Sequence, residues 1–172
     1  MVLLDRQGTC PYRQAGCLKH VKMVVMAGES WETAVAVLRL TSQLVDGIQE
    51  GLARRGFDDV RPAHGFAFAR ISEGDATTAD VAEHLGITKQ AAGQLVEYLV
   101  DHRYVMRQPD ERDARARLLL LTERGWACTI AAEAAAAETV EGWRSQLDPP
   151  VFAQFKVALI TITTPGRLRP SW

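Results

Sequence analysis

The chain has 172 residues, 47% of them apolar and 24% charged, with 20 Lys and Arg against 21 Asp and Glu for a net charge of −1. That length and balance suit one folded domain and exclude both a largely disordered chain and a protein that coats nucleic acid without selectivity, so contact with a polyanion has to come from a locally basic surface. Three cysteines, Cys10, Cys17 and Cys128, are an odd number and imply no disulfide framework.

Residues 1–30 read as a leader that is poorly ordered or partly non-native. Met1 to Leu4 and Val21 to Met26 are too short to span a membrane, and no long apolar run leads to a small-residue cleavage site, so the chain is expected in the cytoplasm. Met23 and Met26 leave room for a later biological start. From Trp31 to about Arg55, apolar residues at Trp31, Val35, Leu38, Leu44 or Val45, Ile48 and Leu52 have the spacing of a long amphipathic helix, which Gly56 ends. Pro62 suits the first position of a second helix that turns Phe66 and Ile71 inward.

The stretch from Thr77 to Gly125 is the most informative. A capping threonine, an acid in the first turn, Val81 and Leu85 four apart, and a closing Gly86 predict a helix from about Thr78 to Leu85. Ile87 and Thr88 restart a helix at once, Thr88 as the cap and Ile87 as an apolar staple, with Ala91 or Ala92, Leu95 and Leu99 facing the core. Helices joined so closely must cross steeply, the helix-turn-helix arrangement. The second leaves Thr88, Lys89, Gln90, Gly93, Gln94 and Glu97 outside. Amides and hydroxyls at a helix N-terminus suit base edges in a major groove, and Lys89 suits phosphate or guanine. Ala91, Ala92 and Gly93 let the axis approach a groove floor, though close packing against neighbouring helices would need the same small residues.

Tyr104 to Arg107 and Arg117 to Leu121 are β-prone runs around a charged turn, a hairpin. Its tip alternates Asp110, Glu111, Arg112, Asp113 and Arg115 in sign. An arginine at such a tip can enter a minor groove if an acid holds the guanidinium in line, and Asp113 is placed to do so for Arg115. Lys89, Arg107, Arg112, Arg115 and Arg117 are diluted by Glu97, Asp101, Asp110, Glu111 and Asp113, a balance that favours a reader of particular sites. Thr122 then caps an alanine-rich helix running through Trp126, Ile130, Ala134 and Ala137 toward Trp143. Asp148-Pro149-Pro150 opens a last helix, Val151 to about Thr161, with Phe152, Phe155 and Leu159 on one side, and residues 163–172 form a tail.

The span from about Trp31 to Ile162 resembles the MarR family of bacterial transcriptional regulators, most tellingly in Asp110-x-Arg112-Asp113-x-Arg115 followed by Leu121-Thr122-Glu123-Arg124-Gly125. The resemblance implies a mainly α fold with a small β-hairpin wing: a winged helix-turn-helix module at 60–121 inside a domain at 31–162, and dimerisation helices at 31–56 and 122–162. It implies a homodimer on a pseudo-palindromic operator in double-stranded DNA, with Arg115 in the minor groove and Asp113 as its buttress. Arg103 departs from the pattern, since the family has glycine where the recognition helix ends; either Arg103 carries strain or the helix stops differently. The DNA-binding set is Thr78, Thr88, Lys89, Gln90, Gly93, Gln94, Arg107, Arg112, Asp113 and Arg115.

The resemblance further implies a small aromatic or phenolic effector between the dimer helices and the DNA module, which His64, Phe68 and Trp126 could line; the same rings also suit an ordinary core. The expected function is a repressor released by such an effector. Two other readings are a winged-helix module that docks protein through its charged hairpin and a regulator that senses oxidants through a thiol. No paired carboxylates, nucleophile and base, phosphate loop or metal cluster stands out, so neither enzyme chemistry, cofactor nor metal is expected.

Overall fold

Helix α1 (Glu29–Arg54) starts where the Gly28 carbonyl accepts the Trp31 amide at 2.8 Å, and it ends one residue short of the expected Arg55, just before Gly56. The computed structural model describes residues 28–110, 112 and 117–163. The chain divides after Leu38 into two units, and everything from Arg39 onward forms the larger. There, α2 (Pro62–Ser72) has its proline in the first turn, and α3 (Thr78–Leu85) and α4 (Lys89–Asp101) form the predicted pair. Strands β1 (Val105–Pro109) and β2 (Arg117–Leu121) make the hairpin, followed by α5 (Glu123–Arg144) and α6 (Pro149–Ile162). The mainly α architecture with one small antiparallel sheet is therefore the observed one.

The hairpin register places Val105 opposite Leu121 and Pro109 opposite Arg117. A further bridge, Ala76 against Leu119 with the Leu119 amide donating to the Ala76 carbonyl at 2.7 Å, ties the sheet to the segment just before α3. Val81, Val96, Leu99, Tyr104 and Leu119 are wholly buried and form the centre of the core, joined by Phe68, Ile71 and Cys128. α4 thus turns Ala92, Val96 and Leu99 inward, and Leu95 sits half-buried at the edge of that stripe.

α5 lies differently from the run of large side chains that marked it. Its buried positions are Gly125, Cys128, Ala131 and Ala135, while Trp126 and Ile130 are exposed by 47% and 65%. Close approach decides this: a Cβ on Gly47 or Gly51 of α1 would fall 2.2 Å from the Thr139 hydroxyl or 2.3 Å from the Ala135 methyl, so the helices cross on their smallest residues. Glu138 then accepts from both Arg54 and Arg55 beside that crossing. At the head of α5, a Cβ on Gly125 would meet the Tyr104 carbonyl oxygen at 2.2 Å. Thr122 caps the helix through its hydroxyl, which accepts the Gly125 amide at 3.1 Å and donates to the Arg103 carbonyl at 2.6 Å.

Candidate nucleic-acid interface

α3 is closed at both ends by local chemistry. Thr77 and Asp80 cap it reciprocally, the Thr77 amide donating to Asp80 Oδ2 at 2.8 Å and the Asp80 amide to Thr77 Oγ1 at 3.3 Å. The hydrogen bonds to Thr77 hold the Asp80 carboxyl below its ordinary range, with a smaller contribution from Arg70. At the other end Gly86 adopts φ +67, which lets the chain turn straight into Ile87 and the Thr88 cap, whose hydroxyl accepts the Ala91 amide at 3.2 Å. α4 emerges with Thr88, Lys89, Gln90, Gln94 and Glu97 exposed and Gly93 partly so. Thr78, at the first turn of α3, is half-buried.

Sequence reasoning assigned Arg107 and Arg112 to DNA, and the structure pairs both with acids. Arg107 meets Glu97 through two bonds of 2.9 and 3.2 Å, joining the strand to the outer edge of α4. Those bonds, and the charge behind them, hold the Glu97 carboxyl below its ordinary range. Arg112 donates to Asp75 Oδ2 at 2.8 Å and lies 3.4 Å from Asp110 Oδ1, which also accepts the Arg112 amide at 2.9 Å. Asp75 itself has φ +46. Its role, like the Ala76 bridge, was missed because one residue in a turn leaves no periodic signal. Asp113 and Arg115 lie outside the described residues.

The residues behind this face are tied together through the α1–α2 connection. Asp59 accepts the Tyr104 hydroxyl at 2.6 Å on its carboxylate and the Tyr98 hydroxyl at 2.7 Å on its carbonyl. Arg124 donates to the Tyr104 hydroxyl at 2.8 Å and stacks 4.5 Å above that ring. Burial and the Asp59 carboxylate push the Tyr104 hydroxyl far above its ordinary range, so it stays a donor. Three residues of the Leu121 to Gly125 motif are thereby explained: Thr122 as cap, Arg124 as the cation on the tyrosine, and Gly125 against its carbonyl.

The three residues assigned to an effector occupy different surroundings. His64 is buried, its Nδ1 accepting the Arg61 amide at 3.1 Å and its ring stacked on Tyr98 at 4.8 Å. Phe68 is 2% exposed within the core and tilts against Tyr104, whereas Trp126 faces outward. A cavity of about 250 Å³ does open between α1, α2 and α5, lined by Val45, Ile48, Leu52, Val60, Arg61 and Phe66 among others. Cys128 is 1% exposed and its thiol is pushed up to about 11, chiefly by burial, which leaves almost no thiolate to meet an oxidant. Cys10 and Cys17 lie outside the described residues, among which neither a metal-holding cluster nor a helix long and apolar enough to cross a membrane occurs.

Helix pair, bridged hairpin and flanking helices define a winged helix-turn-helix protein. Residues 59–116 match the family model described as the MarR family, so the expected resemblance is borne out over the module itself. Among solved structures, Rv1404 from Mycobacterium tuberculosis is 22% identical with a TM-score of 0.70, over 81% of this chain and 97% of that one. An S. aureus MepR mutant bound to an oligodeoxyribonucleotide is 19% identical with a TM-score of 0.59, over 79% and 96%. The M. tuberculosis MarR family protein Rv2887 in complex with salicylic acid is 22% identical with a TM-score of 0.58, over 80% and 97%. No curated protein matches the chain in sequence. The match over residues 59–116 is to the MarR family, and the chain shares the fold of those solved structures.

Proposed function

We propose that this protein is a sequence-specific regulator of transcription that binds double-stranded DNA as a homodimer on a pseudo-palindromic site, represses there, and is released by a small aromatic or phenolic acid. The observation that carries the reading is the capped α3–α4 pair, which leaves Thr88, Lys89, Gln90 and Gln94 exposed beside a hairpin tied to the same core. Such a helix enters a major groove by its N-terminal residues while the wing reaches the flanking minor groove. The MepR complex with an oligodeoxyribonucleotide supports DNA as the partner.

For the effector, the cavity between α1, α2 and α5 supplies an apolar wall and one cation, Arg61, the pairing an aromatic carboxylate requires. The salicylic acid complex of Rv2887 supports that ligand class.

Selection of bound duplexes from a random pool, repeated with salicylate present, tests both halves of the proposal. On the selected site, Arg115→Ala is expected to lose about 1–3 kcal/mol of binding, and Lys89→Ala to flatten the salt dependence by about 1 in slope. Unchanged affinity and unchanged slope in both variants would remove these residues from the interface.

A further inference from the structure

We propose that Glu97 is a specificity-determining residue of the reading helix: by holding Arg107 in a two-bond pair at the end of the exposed stripe, it withholds that cation from phosphates in nonspecific complexes. The inference rests on the DNA-binding reading above and deepens it.

Gln90, Gln94 and Glu97 fall four and three residues apart and therefore share one face of α4. Two amides followed by a carboxylate is a costly order on a surface that meets a polyanion. A carboxylate there repels the phosphate backbone unless a cation answers it. Arg107 answers it from β1, one guanidinium nitrogen to each carboxylate oxygen, at 2.9 and 3.2 Å. Glu97 has a side chain 59% exposed and Arg107 34%, so solvent screens the pair and it does little for folding. Its effect falls instead on where charge is available. A bidentate guanidinium–carboxylate pair fixes the cation in orientation and cancels its charge. Arg112 follows the same pattern against Asp75 and Asp110, so two arginines of the hairpin are answered by acids before DNA arrives. Nonspecific binding is almost wholly phosphate electrostatics, whereas base-edge contacts discriminate. Neutralising these arginines therefore lowers the first term and leaves the second, which widens the ratio between them.

The test uses the full chain with the selected duplex and a random-sequence duplex of equal length, titrated across salt. Glu97→Gln keeps the side-chain shape and removes the charge. It is expected to raise affinity for random duplex several-fold at low salt, to steepen the salt slope by about 0.9, and to narrow the ratio of specific to random binding. In an Arg107→Gln background the same substitution is expected to give little gain, since no cation remains to be released. An equal gain in both backgrounds means that Glu97 acts by long-range repulsion alone and overturns the inference, as does an unchanged random-duplex affinity in Glu97→Gln. If the unsubstituted chain binds no duplex, the DNA reading falls first, and that outcome is distinct from either of these.

Discussion

His64 shows how one side chain joins stability to pH. Its Nδ1 accepts the Arg61 amide at the start of α2, and its ring lies on Tyr98 of α4. Burial, and then the Arg61 charge, lowers its pKa from the ordinary 6.5 to about 4. The folded state therefore resists a proton that the unfolded chain accepts near 6.5. The stability this represents is present in full above that value and is lost as the pH falls toward 4, at up to about 1.4 kcal/mol per pH unit. Denaturant unfolding between about pH 6.5 and 5, above the range where ordinary carboxylates take up protons, is expected to show the slope. His64→Asn retains an acceptor for the Arg61 amide without a titrating ring, and is expected to flatten it. An equally steep slope in the variant would place the protonation elsewhere.

At the scale of elements, the legible parts are those whose signals are local. The α3–α4 pair was readable because its caps, Thr77 with Asp80, Gly86 and Thr88, lie within a turn of the helix ends they satisfy. Arg103 was readable as a conflict: it takes φ +60, the left-handed region that costs a side chain roughly 1 kcal/mol or more, so strain rather than an altered helix end is the outcome. The Ala76 bridge, Glu97 against Arg107 and Asp75 against Arg112 were not readable, because each depends on segments brought together only by the fold. The packed side of α5 left no clear signal for a related reason. In an alanine-rich helix the bulky Trp126 and Ile130 stand out, but the packed side is the one that lets α1 approach at Gly47 and Gly51. Two glycines of α5 test this account in opposite directions. Gly125→Ala drives a methyl into the Tyr104 carbonyl, which also accepts the Thr122 amide at 3.0 Å, and is expected to cost about 1–3 kcal/mol of stability. Gly142→Ala meets nothing within 4 Å and is expected to gain up to about 1 kcal/mol from helix propensity. Thermal unfolding of both variants measures the pair, and a neutral Gly125→Ala would mean that the head of α5 is free to shift.

At the scale of the whole molecule, α6 is apolar and exposed among the described residues, and that surface argues for a second copy. α6 buries none of its residues, and Val151, Val157, Ile160 and Ile162 are exposed by 46%, 63%, 64% and 73%. Phe152, Phe155, Leu159 and Ile160 form with Val140 and Trp143 of α5 a cleft of about 300 Å³. Exposed apolar surface of this kind on a folded chain marks an interface, and a homodimer is the arrangement in which one such surface covers its own copy. Dimerisation is also what converts one reading helix into a reader of a two-fold site, because the second half-site is then met at high effective concentration. Val157→Glu combined with Ile160→Glu places charge on that face without touching α3, α4 or the hairpin. The unsubstituted chain is expected to sediment as a dimer with a melting temperature that rises with protein concentration. The double variant is expected to sediment as a monomer, melt lower, and bind the two-fold duplex little better than a single half-site. A monomeric unsubstituted chain, or a variant that remains dimeric and binds as before, would place the symmetry of DNA recognition somewhere other than α6.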